Sequence, residues 1–395
     1  MTIASFDDRP ATDVVVVPFW QDKKPVPAAA LKDLAASVAP ALDAGDFHAK
    51  EGEVLTIYGD KGMRVMLLGL GKKAACKDET VRRAFAAAVK VARAKKCKSL
   101  AVLVHDKKKC APIAEGILLT NYTFDRYKKS SVKDEHPVLL HKVVFVGAGE
   151  AELTECKKLG KIAEAVHFVR DLVNSNANDK TPQDLEKAAK ALAKEFSSIK
   201  VKALTKKEIE KEKMGLLLAV NSGSHLDPAF IVLEYRGNPG SKEKTAIIGK
   251  GITFDTGGLN LKPTGGMETM KCDMSGAGAV LGTFRAAAGL KLKVNLVGVI
   301  ASTENAIGPK SYKPGDVYEG LAGKTVEISN TDAEGRLILA DALAYTQKYL
   351  KPTRMIDLAT LTGGIIMALG EEMSGLFCNN DALANALIKA GDETG

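Results

Sequence analysis

The sequence predicts two α/β domains, a smaller N-terminal one and a larger C-terminal catalytic one with a central mixed sheet flanked by helices. Three observations carry that prediction. Short β-branched runs alternate with amphipathic helical patterns along the chain, the signature of layered α/β structure. The length of 395 residues, 46% of them hydrophobic, is too great for one small core. A long helical pattern from Ala151 through Glu164, Phe168 and Leu172, followed by the polar stretch NSNANDKTP, separates two rounds of alternation. The expected division is 1–160 and 161–395.

In the first round, DVVVVPFW, EVLTIYG, RVMLLGLG, SLAVLVH and KVVFVGAG read as strands bounded by turn residues. Between them ETVRRAFAAAVKVARAKK, from Glu79, has helical periodicity. Thr181-Pro182 reads as a helix start, with threonine capping and proline in the first turn. In the second round GLLLAVNSGS, FIVLEYRG, TAIIGKGITFD, VNLVGVIAST, TVEISNTDAEG and MIDLATLTGG read as strands. Helices are expected at Ser275 to Leu290, Arg336 to Lys348 and Ala382 to Ala390. Glycines cluster just after these strands, at the edge of an open α/β sheet where sites are built.

Composition narrows the function classes. Aromatics are only 5%, which argues against a nucleic-acid module built on base stacking. No run approaches the ~20 apolar residues of a membrane span, and MTIASFDDRPATD has neither the basic nor the apolar part of a signal peptide. A cytoplasmic protein with no membrane partner is expected. The net charge of +8 is uneven: residues 1–245 carry +10, with lysine runs at Lys107 to Lys109 and Lys206 to Lys213. Solvated surface is the plainer reading, and a nucleic-acid footprint the sharper one. The six cysteines form no CxxC pair, so reduced thiols are expected in place of disulfides or a thiolate zinc site. The six histidines all lie at or before His225. A centre in the last 170 residues must therefore work without a local imidazole, which excludes an HExxH site there and weakens a Ser-His-Asp triad.

Two glycine motifs are set aside. VFVGAGEAE lacks the third glycine of a dinucleotide fingerprint and reads as a strand-end turn. GLAGKT has Tyr318 where a phosphate loop needs glycine, and it runs into a strand-like segment. Three other segments concentrate carboxylates and lysines beside glycine: IIGKGITFDTGGLNLKP with Lys250, Asp255 and Lys262, MKCDMSGAG with Asp273, and SNTDAEGRL with Asp332, Glu334 and Arg336. At a strand end, Asp332 and Glu334, two apart, would aim to the same side. Four carboxylates without histidine make a hard, oxygen-rich site suited to Mn²⁺, Mg²⁺ or Zn²⁺, and enough to bridge two ions. Two such ions polarise a carbonyl and generate hydroxide. A lysine beside that charge gives up its proton readily and can become a nitrogen ligand, and a second lysine and an arginine can stabilise an oxyanion or hold an anion. The competing reading is that Asp273 and Asp332 cap helices and that Lys250 and Lys262 are solvated surface residues.

GKGITFDTGGLNLKP, MKCDMSGAGAV and NTDAEGRLILADAL together resemble the leucyl aminopeptidase family, also called cytosol aminopeptidases, for which NTDAEGRL is the signature. The resemblance is clear from about Phe168 to Gly395 and weaker over the N-terminal part. It implies a metal-dependent aminopeptidase that removes N-terminal residues, leucine and other apolar ones preferred, from peptides. It further implies two divalent ions, Mn or Zn, held by Lys250, Asp255, Asp273, Asp332 and Glu334. Asp255 and Glu334 would bridge both ions, Lys250 and Asp273 would complete the tighter site, and Asp332 the more exchangeable one. Lys262 matches the lysine that polarises the scissile carbonyl, and Arg336 the arginine that holds a bicarbonate base. The alternative for Arg336 is that it only orients Asp332 or Glu334. Met270, Asn330, Ala333 and Thr360 fall where the family lines its side-chain pocket. Members are generally homohexamers, and some bacterial members bind DNA. A different two-metal hydrolase, such as a phosphatase, would leave Lys262 and the Met270 pocket without a role. Relatives continue beyond AGDETG, so the family's C-terminal segment is expected to be missing.

Overall fold

The computed structural model describes residues 1–6, 11–22, 32–59, 62–128 and 138–395. It divides into two units, Met1–His167 and Phe168–Gly395. Both are α/β.

The first unit is built on a six-stranded sheet. Its strands are β1 (Thr2–Phe6), β2 (Val14–Phe19), β3 (Val54–Tyr58), β4 (Arg64–Gly69), β5 (Ser99–Leu103) and β6 (Lys142–Val146), in the order β1-β6-β5-β2-β4-β3. Only β3 runs antiparallel to its neighbour. Helices α1 (Lys32–Asp43), α2 (Asp78–Ala94), α3 (Cys110–Thr120) and α4 (Glu150–Asn174) follow in the chain. The run VVVV in β2 is apolar throughout because both faces of the sheet are covered. Val14 and Val16 pack with Phe85, Val89 and Ile113, while Val15 and Val17 pack with Val38 and Phe47 on the other face. In α2 the buried positions Val81, Ala84, Phe85, Ala88, Val89 and Ala92 repeat at helical spacing, which is why that stretch is a helix.

The second unit holds a mixed five-stranded sheet. Its elements in chain order are α5 (Pro182–Glu195), β7 (Ile199–Leu204), α6 (Lys206–Lys211), α7 (Gly215–Asn221), β8 (Ala229–Arg236), β9 (Thr245–Asp255), α8 (Thr264–Met267), α9 (Ser275–Gly289) and β10 (Asn295–Asn305). Then come the small hairpin β11 (Val317–Glu319) and β12 (Thr325–Glu327), α10 (Glu334–Tyr345), β13 (Arg354–Leu358), α11 (Gly364–Leu369) and α12 (Asp381–Thr394). The sheet order is β13-β9-β10-β8-β7, parallel across β13, β9 and β10 and antiparallel beyond. One face packs on α7 and α10, the other on α5 and α9. Burying each large apolar side chain in these cores contributes about 1.5–3 kcal/mol. Thr181 caps α5 through a reciprocal box with Asp184, and Pro182 opens it, as its dipeptide predicts.

Three sequence expectations need correction. GLLLAVNSGS is not a strand: Gly215–Asn221 is α7, with Leu216, Leu217 and Val220 buried at helical spacing. The Asp341 carboxylate accepts the N–H groups of Leu216 and Leu217 at 3.0 and 2.9 Å. A partner 125 residues away thus caps the helix, and local pattern cannot show it. TVEISNTDAEG is a strand only over Thr325–Glu327. In MIDLATLTGG the strand stops at Leu358. Strand β7 was not expected: Lys200 and Lys202 interrupt its apolar pattern, as suits an edge strand that must avoid further pairing. Among the described residues no helix is long and apolar enough to cross a membrane.

Candidate metal centre

Lys250 and Asp255 lie five residues apart on β9, an odd separation that puts side chains on opposite faces of a regular strand. The pairing with β10 is offset: Thr303 faces Ile252, but Asn305 faces Asp255. The extra residue on β9 turns Asp255 onto the side that Lys250 occupies, as strand irregularities beside functional sites do. Gly257 and Gly258 follow at φ +87° and +63°, where a side chain would be strained. Their turn brings Lys262 back, and its backbone N–H donates to the Thr256 carbonyl at 2.9 Å. The Lys262 Nζ then lies 3.0 Å from Asp255 Oδ2 and 2.5 Å from Asp332 Oδ1.

Asp273 sits between the short turn Met270–Cys272 and α9. Its Oδ1 accepts the Thr360 hydroxyl at 2.7 Å, and its Oδ2 lies 2.9 Å from Lys250 Nζ. Glu334 is the first residue of α10, where free N–H groups and the helix dipole favour a carboxylate. Its Oε1 accepts from Lys250 Nζ at 2.7 Å, and the Thr360 carbonyl accepts from the same ammonium at 2.9 Å. The lysine passes directly over Gly335, where a Cβ would lie 2.8 Å from Nζ.

Asp332 and Glu334 are not at a strand end. Thr331–Ala333 forms a single tight helical turn that leads into α10. The Asn330 side chain accepts the Asp332 N–H at 2.7 Å, so an asparagine cap starts a turn where a strand was expected. The two carboxylates therefore meet different lysines. Glu334 is buried against Lys250, whereas the half-buried Asp332 faces Lys262. Arg336 is exposed although Leu337, Ile338 and Leu339 beside it are buried. It pairs with neither Asp332 nor Glu334, whose partners are the two lysines. Met270 and Ala333 are half-buried on the turns that carry Asp273 and Glu334; Asn330 and Thr360 are exposed by residue, with Thr360 tied to Lys250 and Asp273.

Residues that the sequence did not single out surround Asp255. Asn305, Thr331 and Tyr312 are at most 1% exposed, and the Asn305 amide donates to Asp255 Oδ1 at 2.8 Å. The one signal for Asn305 is its place at the end of the strand beside β9.

The donor set suits cations. Four carboxylates against two ammonium groups leave the cluster net negative, and Asp255, Asp273 and Glu334 are 2–3% exposed. One carboxylate oxygen from each of those three lies within 4.8 Å of the others. Glu334 Oε2 is buried with no hydrogen-bond partner, while Asp273 Oδ2 and Asp332 Oδ1 meet only lysine ammonium groups. Uncompensated buried carboxylate charge is costly, and divalent cations relieve it. Oxygen donors without histidine or cysteine suit hard or borderline ions. Burial, partly offset by Lys250, pushes the Asp273 carboxyl up to about 7, and the same two influences leave Glu334 raised. Burial pulls both lysines down, but the carboxylates outweigh it: Glu334 and Asp273 raise Lys250, and Asp332 and Asp255 raise Lys262.

Known proteins are similar to this chain in sequence and in fold. Residues 16–131 match the N-terminal domain of the cytosol aminopeptidase family, and residues 167–395 match its catalytic domain. A probable cytosol aminopeptidase of Protochlamydia amoebophila (strain UWE25) is 49% identical over 98% of this chain and 80% of its own length. One from Chlamydia trachomatis serovar A is 46% identical over 99% of this chain and 80% of its own. Among solved structures, a mutant of tomato leucine aminopeptidase superposes with a TM-score of 0.88 at 30% identity, covering 99% of this chain and 80% of that one. The bottromycin maturation enzyme BotP in complex with Mn superposes at 0.83 with 29% identity, covering 97% and 80%. With both domains of one family matched in order along it, and near-half identity to relatives over almost its full length, the chain belongs to the cytosol aminopeptidase family and is a metal-dependent peptidase of the leucyl aminopeptidase type.

Proposed function

We propose that this aminopeptidase cleaves the N-terminal residue, leucine or another apolar one, from peptides at a site holding two divalent ions, Mn²⁺ or Zn²⁺. Lys250, Asp255, Asp273, Asp332 and Glu334 would hold the ions. The observation that carries the reading is the convergence of four carboxylates on two lysines, with Glu334 Oε2 buried and unpartnered. When bound, the ions supply Lewis acidity and an activated water. As the family resemblance implies, Asp255 and Glu334 would contribute to both ions, and Asp332, half-buried at the rim, to the more exchangeable one.

Lys262 stands between Asp255 and Asp332 at the rim of the cluster, where its ammonium would present positive charge to the oxygen of a scissile carbonyl. Lys250 has to give up its proton to serve as a nitrogen donor, which couples occupancy to proton release. Arg336 has its guanidinium exposed and unpaired with Asp332 or Glu334, and so is open to a small planar anion. A bicarbonate held there would accept the proton of the attacking water, since no histidine follows His225. Met270, Asn330, Ala333 and Thr360 would line the side-chain pocket. Work on small peptides in the cytoplasm as a homohexamer fits the family.

The reading is tested on a leucine anilide. Activity should vanish on chelation, return with Mn²⁺, fall in carbonate-free buffer and recover with bicarbonate, and Arg336→Ala should lose the bicarbonate response. Undiminished hydrolysis after complete chelation would refute the metal reading. A wild-type rate indifferent to bicarbonate would refute the role of Arg336.

A further inference from the structure

Asp255 is held by an arm that leads away from the reacting side of the site. Its Oδ1 accepts two hydrogen bonds, from Asn305 Nδ2 at 2.8 Å and from the Gly257 N–H at 2.9 Å, while its Oδ2 faces Lys262. The same Asn305 amide nitrogen donates to the Thr331 carbonyl at 3.1 Å. That carbonyl, immediately before Asp332, also accepts the Tyr312 hydroxyl at 2.6 Å. The Asn305 Oδ1 lies 3.5 Å from that hydroxyl, so the amide orientation follows from its surroundings: two acceptors face the nitrogen. Asn305 and Thr331 are 0% exposed and Tyr312 is 1% exposed, so no water competes for these bonds. One buried amide thus ties the end of β9, which carries Asp255, to the turn that carries Asp332 and Glu334.

We propose that Asn305 is a positioning residue: its amide fixes the Asp255 carboxylate against the Thr331–Ala333 turn at the spacing that two cations need. This rests on the two-ion reading above and extends it to a residue that touches neither substrate nor ion. Two bonds to Oδ1 stop the carboxylate from rotating and leave Oδ2, which faces Lys262, as the oxygen that would turn to a cation. The bond to the Thr331 carbonyl sets how far the Asp332 and Glu334 segment stands from β9. Partners of this kind are worth ~10–100-fold in metal affinity.

The test is calorimetric titration of Mn²⁺ into chelator-stripped wild type, Asn305→Ala and Tyr312→Phe, with thermal melting of the stripped proteins as the folding control. Wild type should bind two ions. Asn305→Ala should bind at least one ion ~10–100-fold more weakly, and at saturating Mn²⁺ should lose kcat while KM stays near the wild-type value. Tyr312→Phe keeps the Asn305–Asp255 bond and should lose much less affinity. If Asn305→Ala does not fold, Asn305→Ser takes its place in the same titration. A folded variant that binds two ions as tightly as wild type would overturn the role of Asn305 and leave the two-ion reading intact. Wild type that binds fewer than two would overturn both.

Discussion

The two lysines of the centre differ in what encloses them, and that difference predicts different losses. Lys250 is 1% exposed among Glu334, Asp273 and the Thr360 carbonyl, whereas Lys262 reaches the rim between Asp255 and Asp332. If Lys262 meets the carbonyl oxygen chiefly as charge develops there, Lys262→Ala should lower kcat by ~10²–10³ and change KM little. Steady-state kinetics decide this, and a deficit lying almost wholly in KM would reduce Lys262 to a binding group. A third lysine acts on stability. Lys180 is 1% exposed, its ammonium donates to the Lys271 carbonyl, and burial lowers its pKa from 10.5 to about 8. Between those two values the unfolded chain binds more protons than the folded one, so the wild type should gain stability as pH rises from 8 to 10.5. Below that window Lys180 is charged in both states and contributes no slope. Melting curves should show wild type gaining on Lys180→Met across the window, and a constant difference between them would contradict the assignment.

At the scale of elements, the site depends on how α10 is anchored. Its Asp341, 0% exposed, accepts N–H groups from Leu216, Leu217 and Leu321 at 2.8–3.0 Å. One carboxylate therefore holds the start of α7 and the β11–β12 connection against the helix that begins with Glu334. Asp341→Ala would orphan two buried donors and a half-buried one, and leaving buried donors unsatisfied costs about 1–3 kcal/mol each. Denaturant melts should show a loss of at least ~2 kcal/mol, whereas a loss under 0.5 kcal/mol, the range of ordinary surface substitutions, would mean that other groups take over. Strand β9 was legible because its apolar run TAIIGKGITFD is long and is followed closely by the turn glycines Gly257 and Gly258. Lys250, Asp255, Lys262, Asp273, Asp332 and Glu334 stood out because carboxylates and lysines rarely crowd beside glycine without purpose. Helix α7 was not legible, because a run of five apolar residues fits either period and the capping Asp341 is distant in sequence. The β9 offset was invisible for a related reason: it exists only in the pairing with β10. A lone asparagine such as Asn305 cannot be told from a turn residue until the strand beside it is known.

For the whole molecule, the second unit assembles the centre and closes its sheet at one end only partly. Strand β13 is a half-exposed edge, and α11 and α12 bury no residue, leaving Met367 92% and Phe377 93% exposed. The chain covers 80% of the length of its chlamydial relatives, and the metal candidates all lie between Lys250 and Glu334, inside the part they share. The net negative, buried cluster attracts cations, and the proposed reading fills it with two dications and Lys250 as a neutral donor. The most direct measurement is turnover of a leucine anilide followed while Mn²⁺ is titrated into chelator-stripped protein of known concentration. Activity should rise from none and break at two equivalents per chain. A break at one equivalent, or substantial turnover before any ion is added, would contradict the two-ion centre.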